Sequence, residues 1–272
     1  MILNVSLFLI FLLAQNVSLE TRTTSEKPLS NPASKNASIR IPPITGKLPQ
    51  RTPRNCLDVK KSGQSASGIF KLKPREDAES FLAFCDMETK GGGWTYFLNR
   101  QDGSQNFNLE WEDYKWGFGN LNGEFWMGLQ HLYELTGEGG YELLVELEDW
   151  AKVKVYARYG LFALGSENEG YSLKVLGRYS GDAGDSLSFS AGSKFSTKDN
   201  DQDYASLHCA EVYKGAWWYK DCMRAQLTGQ YKKETVGPNE EYLIMFWQSF
   251  RGSRYSLKKV KMMVRPFEKK LN

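Results

Sequence analysis

The sequence has few of the residues from which enzyme sites and metal centres are usually recognised. It contains two histidines, His131 and His208, and four cysteines in 272 residues. The cysteines lack the CxxC pairs typical of zinc sites, and no GxSxG nucleophile motif is present. These shortages argue against a zinc enzyme or a serine hydrolase, and we expect no catalytic role.

Long hydrophobic runs and assembly repeats are also scarce. Heptads and Gly-X-Y repeats are missing, so a homo-oligomer would not form through a coiled coil or collagen stalk. The main apolar run, residues 2–14, is too short to span a bilayer but suits the core of a secretory signal peptide. We therefore expect a signal peptide at 1–18, a secreted, extracellular protein and no membrane span. A buried N-terminal helix is the alternative.

Large apolar side chains are nearly absent from residues 19–54, where Ser, Thr, Pro, Asn and Lys dominate. Such a composition cannot bury enough surface to offset conformational entropy, which predicts a disordered linker or tail. The segment is basic, with seven Lys and Arg against two Glu. The rest of the protein is therefore slightly acidic and does not resemble a nucleic-acid binder. Asn36 begins an Asn-Ala-Ser sequon, which predicts a glycan there.

The four cysteines are Cys56, Cys85, Cys209 and Cys222. An even number in a secreted protein predicts two disulfide bonds, since the extracellular space is oxidising. Three pairings are compatible with the count, and 56–85 with 209–222 is the simplest because each bridge is local in sequence.

Alternating apolar residues predict three half-buried strands. Two of them, at about 141–147 and 153–159, are spaced for an antiparallel hairpin that turns near 148–151. The third covers 259–265 and ends at Pro266. Apolar spacings of three and four predict one helix over 123–135.

The stretch KDNDQDYASLHC, residues 198–209, places three aspartates at alternate positions with no Lys or Arg between them, namely Asp199, Asp201 and Asp203. Ca²⁺ binds about six to eight hard oxygens, so such a cluster is a candidate cation site. The spacing is not that of an EF-hand, because Tyr204 and Ala210 stand where that loop needs Gly and Glu. A bridge at Cys209 would hold the loop instead. An Asp-rich, solvent-exposed turn is the alternative.

Several motifs occur together between residues 55 and 267, in the order NCLDV, FCDMETKGGGWT, NRQDGS, FGNLNGEFWMGL, AGDSLSFSAGSKFSTKDNDQD, CAEVYKGAWWYKDC and MMVRPFE. In this combination the sequence resembles the fibrinogen C-terminal domain family, which includes ficolins, tachylectins, angiopoietins and tenascins. The resemblance implies one domain at 55–268 with an α+β fold. Its expected parts are a small N-terminal subdomain, a central antiparallel sheet that takes in the last strand, and a loop-rich calcium and ligand subdomain. It also implies the two local disulfides.

The resemblance assigns the calcium ligands to the side chains of Asp201 and Asp203 and to the backbone carbonyls of Ala205 and Leu207. Asp199 is then a nearby charge that does not touch the ion. In the family's lectins, a neighbouring pocket binds N-acetyl groups. It uses a cis peptide bond before the second cysteine of the C-terminal bridge.

The implied acetyl pocket falls on Tyr213, Asp221, Cys222 and Met223. A cis bond between Asp221 and Cys222 would direct the backbone N–H groups of Cys222 and Met223 toward a ligand carbonyl, while Tyr213 packs against the acetyl methyl. Such a bond costs about 2.5–4 kcal/mol, so its surroundings must enforce it.

Some positions depart from the lectin pattern. Met223 replaces a usual histidine, residues 242–247 replace a more polar loop, and Ser253 stands where a pocket tyrosine is expected. The expected function is a secreted, calcium-dependent lectin for acetylated glycans on cell or microbial surfaces, of the innate-immunity type. The alternative is a signalling or matrix ligand that binds a protein receptor.

Overall fold

The computed structural model describes residues 51–138 and 140–267. The predicted signal peptide, the predicted glycan site Asn36 and all but the last four residues of the predicted linker lie outside these ranges. Within the described ranges, no helix has the length and apolar character needed to cross a membrane.

A central antiparallel sheet of ten strands organises the described residues. Its main path runs β1-β2-β3-β14-β6-β7-β8, while β5 pairs with β3 and β4, and β9 pairs with β7. Two short pairs, β10 with β12 and β11 with β13, lie outside this sheet. The strands are β1 Gly68–Leu72, β2 Phe81–Asp86, β3 Trp94–Arg100, β4 Phe118–Gly119, β5 Phe125–Trp126, β6 Tyr141–Glu148, β7 Lys154–Ala163, β8 Val175–Leu176, β9 Tyr179–Gly181, β10 Ala225–Gln226, β11 Glu234–Thr235, β12 Phe246–Trp247, β13 Tyr255–Ser256 and β14 Lys259–Pro266.

The last strand returns to the centre of the sheet, as the family resemblance implies. Met262 of β14 lies opposite Leu98 of β3 on one side and Val145 of β6 on the other. Val260, Met262 and Val264 are all buried, so the alternation read from the sequence identifies the core face correctly. The predicted hairpin is also confirmed, with β6 ending at Glu148 and β7 beginning at Lys154.

The helices are short, and the predicted one is only partly correct. They are α1 Cys56–Lys61, α2 Trp111–Trp116, α3 Leu129–Thr136, α4 Cys209–Tyr213 and α5 Gln248–Arg251. The helix predicted from residue 123 begins only at Leu129, because Phe125 and Trp126 form a strand that pairs with β3. Gly128, which lies between this strand and α3, has φ +108°, and that value is incompatible with a helix interior.

Both predicted disulfides are present, which fits an oxidising compartment. The 56–85 bridge joins α1 to β2, with Cα atoms 5.3 Å apart. The 209–222 bridge joins the start of α4 to the segment that leads into β10, with Cα atoms 5.8 Å apart. Trp217 and Trp218, between these cysteines, are fully buried, so they belong to the core and not to a stacking surface.

Candidate cation and ligand site

The predicted cation loop, residues 198–209, is fastened to its surroundings at several points. Thr197 and Asn200 exchange backbone hydrogen bonds of 3.0 and 3.1 Å, which form a tight turn at the start. The backbone N–H of Tyr204 donates to the carbonyl of Lys220 at 3.0 Å, two residues before Cys222. The loop therefore lies against the segment to which its last residue is also covalently linked.

The two predicted carboxylate ligands are neighbours and organise the loop backbone. Asp201 Oδ1 accepts a hydrogen bond from the backbone N–H of Asp203 at 3.2 Å. Asp203 in turn accepts from the N–H groups of Ala205 and Cys209, each at 2.9 Å. Asp203 thus connects the loop to the first residue of α4.

No basic side chain among the residues that the structure describes forms an ion pair with Asp203. Burial and the adjacent Asp201 raise the pKa of Asp203, even though the two backbone N–H groups act to lower it. A cation placed between the two carboxylates would remove this penalty, because an opposite charge stabilises both ionised groups.

The two predicted carbonyl ligands, on Ala205 and Leu207, accept no hydrogen bond from residues that the structure describes. Together with the carboxylates of Asp201 and Asp203 they are hard oxygen donors of the type that Ca²⁺ prefers, so the residues present fit the ion. Neither in this loop nor elsewhere in the described ranges do three His, Cys, Asp or Glu side chains group around a common metal position. Beyond the two carboxylates, the ligands of an ion in this loop would therefore be backbone carbonyls and water. Calcium binding stays a prediction.

Asp199 has a structural contact that the sequence did not reveal. Its Oδ1 accepts hydrogen bonds from the backbone N–H of Trp111 at 2.9 Å and from the hydroxyl of Thr197 at 2.7 Å. Trp111 is the first residue of α2, so the carboxylate satisfies an unpaired donor at that helix start. Asp199 therefore joins the cation loop to a helix 88 residues earlier in the sequence.

The predicted ligand residue Tyr213 ends α4 and forms part of an aromatic cluster. Its half-buried ring makes an edge contact with Tyr242 at 5.8 Å, and Tyr242 contacts Phe246 at 5.6 Å in the same way. The buried amide of Gln226 donates to the carbonyls of both tyrosines, at 3.1 and 3.2 Å. Sequence reasoning missed Tyr242 and Gln226.

The predicted cis bond before Cys222 is wrong, since no cis peptide occurs among residues 51–138 and 140–267. A trans bond is the lower-energy form by about 2.5–4 kcal/mol, and the disulfide closes with it. The carbonyl of Cys222 accepts from the N–H of Lys220 at 2.7 Å, which gives a tight turn with an exposed Asp221. The Met223 side chain is buried beside it.

The sequence and the fold match known proteins. The family model described as the C-terminal globular domain of the fibrinogen beta and gamma chains matches residues 52–267. The protein belongs to this family. It is 45% identical over 217 residues to human Fibrinogen C domain-containing protein 1, covering 78% of this sequence and 46% of that protein. It is 43% identical over 230 residues to mouse Angiopoietin-related protein 2, covering 85% of this sequence and 46% of that protein.

Solved structures agree with the family assignment. The fibrinogen-like globe domain of human ANGPTL2 is 43% identical, with a TM-score of 0.77, covering 79% of this sequence and all of that domain. A lamprey fibrin D-dimer, solved with the peptide Gly-His-Arg-Pro-amide, is 32% identical with a TM-score of 0.74, covering 83% of this sequence and 77% of the matched one. The protein spans about half the length of the curated relatives that it matches.

Within this fibrinogen C-terminal domain, the apolar stretch at 242–247 is a core element. Ile244, Met245, Phe246 and Trp247 are fully buried. Ser253 donates to Glu241 at 2.6 Å and does not supply an aromatic wall. The large apolar side chains that are exposed near the cation loop are instead Tyr204, Leu207 and Val212, with 64%, 40% and 46% of their surface accessible.

Both histidines of the domain make structural contacts. His208 precedes α4, and its Nε2 lies 2.9 Å from the carbonyl oxygen of Thr197. His131 stacks on Phe81 with ring centroids 4.1 Å apart. Burial lowers the pKa of His131, although the nearby Glu134 acts in the opposite direction.

Proposed function

We propose that this domain is a secreted, non-catalytic recognition module that binds a protein receptor through the cation-loop end of its loop-rich half. Two observations on relatives support a protein ligand over a sugar: the match to Angiopoietin-related protein 2 and the fibrin structure that holds a peptide. The two disulfides suit an extracellular setting.

The observation that carries this proposal is the exposure of Tyr204, Leu207 and Val212 within nine residues of sequence. Large apolar and aromatic side chains are costly to expose and are enriched in protein interface cores. Tyr204 and Leu207 lie on the cation loop and Val212 lies on the adjoining α4. The loop is held by hydrogen bonds to Asp203 and to the carbonyl of Lys220 and by a disulfide. A binding surface that is already ordered loses little entropy on association.

Calcium is part of the proposal as a structural ion. It would be held by the carboxylates of Asp201 and Asp203 and by the carbonyls of Ala205 and Leu207. The ion would neutralise the two adjacent carboxylates and fix the loop that carries the apolar side chains. Receptor binding should therefore weaken when a chelator removes calcium.

A second candidate is a lectin for acetylated glycans, favoured by one contact. The half-buried Tyr213 and Tyr242 form an aromatic corner at the end of α4, which could hold an acetyl methyl group. The trans bond before Cys222 and the buried Met223 differ from the expected lectin geometry. We therefore prefer binding to a protein receptor over binding to acetylated glycans as the proposed function.

The test compares Leu207→Ser with Leu161→Ser. Leu161 lies on β7 of the central sheet and is 44% exposed, against 40% for Leu207, so both changes remove a similar apolar surface. Leu207→Ser also keeps the backbone carbonyl that is predicted to bind calcium. Cell-surface binding of the labelled protein should fall several-fold for Leu207→Ser alone, because exposed anchors carry a large share of interface energy.

Two results would contradict the receptor proposal. One is an equal loss with both leucine variants. The other is cell-surface binding that free N-acetylglucosamine abolishes and that Leu207→Ser leaves intact, which would favour the lectin.

A further inference from the structure

One face of the central sheet carries an open cleft of about 450 Å³ that crosses strands β3, β14, β6 and β7. Neighbouring strands lie about 4.8 Å apart, so a cleft over four strands is about 14 Å wide. The volume is within the roughly 300–1,000 Å³ of ligand sites. None of the residues of the predicted calcium and acetyl sites line it. The cleft is therefore separate from the surface proposed above to bind a receptor.

The strand register places the polar side chains of the cleft in two rows. Residues that lie opposite one another in an antiparallel sheet share a face, with Cβ atoms about 4.5–5.5 Å apart. The first row is Asn99, Lys261, Glu146 and Tyr156, and the second is Lys259, Glu148 and Lys154. In both rows a lysine of β14 stands beside a glutamate of β6, so cations and hydrogen-bond acceptors alternate across the sheet.

Most of the lysines in the cleft have no carboxylate partner. Lys154 lies 3.7 Å from Glu148. Lys90, Lys259 and Lys261 form no ion pair within 4.0 Å with a residue that the structure describes. Lys90 and Lys259 are exposed, and the half-buried Lys261 also lines the cleft. Three positive charges are therefore available to a ligand.

Two of these ammonium groups lie over aromatic rings. Lys90 enters the cleft from the turn between β2 and β3 with φ +44°, an uncommon value for a residue other than glycine. Its Nζ lies 3.5 Å from the centroid of the Tyr156 ring, and Nζ of Lys261 lies 5.5 Å from that of Tyr96. An aromatic face attracts a cation but does not neutralise its charge. The two lysines are thus positioned and remain charged.

The charge of the cleft selects among anionic partners. Four lysines and two glutamates line it, a net charge of +2 in a domain that is slightly acidic as a whole. A continuous run of acidic side chains would be repelled by Glu146 and Glu148. A chain whose anionic groups are separated by hydroxyls fits better, because the lysines bind the anions while the two glutamates and Asn99 accept hydrogen bonds from the hydroxyls.

We propose that this cleft binds a linear sulfated polysaccharide. Its sulfate groups contact Lys90, Lys259 and Lys261, and its hydroxyls donate to Glu146 and Glu148. Sulfate suits the lysines because charge-assisted hydrogen bonds are the strong ones. Because the cleft is open to solvent, salt should weaken the binding by screening these charges.

The test measures the affinity of the full-length protein for a heparin hexasaccharide, for hexaglutamate and for neutral maltohexaose by isothermal titration calorimetry. Heparin should bind at least about tenfold more tightly than either of the others, because only heparin supplies both anions and hydroxyls. The double variant Lys259→Gln, Lys261→Gln should weaken heparin binding about tenfold, since two charge-assisted contacts are lost.

The matched control is the double variant Lys71→Gln, Lys73→Gln. Lys71 lies on β1 and Lys73 just after it, so the pair has the same spacing and again combines an exposed lysine with a half-buried one. Neither lines the cleft. The control should leave the heparin affinity unchanged. All variants keep the basic residues of 19–54, so any contribution of that segment to heparin binding is the same in each.

The proposal is overturned if heparin does not bind, if maltohexaose binds as tightly, or if the control variant loses as much affinity as Lys259→Gln, Lys261→Gln. Equal affinity for hexaglutamate also overturns it and would indicate an acidic peptide as the ligand. Leu207→Ser should leave heparin binding intact, because Leu207 lies outside this cleft. Failure of this proposal therefore leaves the proposed receptor surface untouched.

Discussion

Replacing Asp201 with Asn should have opposite effects with and without calcium. In a chelator, Asp201 and Asp203 repel each other, and the pKa of Asp203 is raised by burial and by that neighbour. Asn keeps an Oδ1 that can accept the 3.2 Å hydrogen bond from the N–H of Asp203. The metal-free variant should therefore be as stable as the parent or slightly more stable. In calcium, the variant lacks a charged ligand and should be the less stable protein.

The size of the calcium effect follows from mass action. An ion present at about 100 times its dissociation constant adds about 2.7 kcal/mol to the free energy of unfolding. For a domain of this size, about 1 kcal/mol corresponds to a Tm change of about 2–4 °C. The parent should therefore gain about 5–10 °C in saturating calcium, and Asp201→Asn should lose most of that gain.

Differential scanning calorimetry in calcium and in EDTA measures both effects. Asp199→Asn is the control, because it makes the same charge change in the same loop while keeping the oxygen that accepts from Trp111 and Thr197. This control should retain most of the calcium shift. The reasoning fails if Asp201→Asn keeps the full shift, or if Asp199→Asn loses as much of it.

Three further predictions concern another carboxylate, a histidine and the aromatic corner. Glu124→Gln should lower the free energy of unfolding, measured by urea denaturation, by about 3–5 kcal/mol, because it leaves the buried Arg100 without a counter-charge. A loss below about 1 kcal/mol would show that Arg100 needs no counter-charge. The pKa of His131 is lowered by burial, so the unfolded state takes up its proton first and Tm should fall as pH drops below about 6.5. His131→Phe should flatten that slope, and an unchanged slope would assign it to other groups. If the lectin candidate is correct, the Tyr213→Ala protein should no longer bind N-acetylglucosamine resin, whereas the Tyr204→Ala protein should still bind it. Equal retention of the two variants would show that Tyr213 does not contact the sugar.

Sequence reasoning succeeded where the determinants are local. The β6–β7 hairpin and β14 follow from alternation over short stretches, and the disulfides from cysteines in local pairs. It failed at residues 123–128, where spacings of three and four coincide with a strand. Strand pairing with β3 and the positive φ of Gly128 decide that segment, and apolar spacing reports neither.

The site was predictable only as far as its motif extends. Asp201 and Asp203 can be read from one short stretch, but their neighbours cannot. Asp199 reaches Trp111, and the Tyr213 cluster depends on Gln226 and Tyr242, which are brought together by the fold. The peptide bond before Cys222 is trans, which differs from the expectation that the family resemblance gave.

Buried or half-buried carboxylates that accept several N–H or O–H groups organise the loops of this domain, and Asp203 differs from the others. At Asp86 and Asp185, burial tends to raise the pKa, but hydrogen bonds from backbone N–H groups, hydroxyls and a tyrosine overcome it, and the pKa is lowered. Those anions are stabilised by the protein itself. At Asp203, two backbone N–H groups fail to offset burial and the charge of Asp201, and the pKa is raised. One more hydrogen-bond donor would stabilise the ionised Asp203, whereas a second carboxylate destabilises it unless a cation lies between the two. Calcium binding at Asp201 and Asp203 stays a prediction, and the raised pKa of Asp203 is the property that a bound cation would reverse.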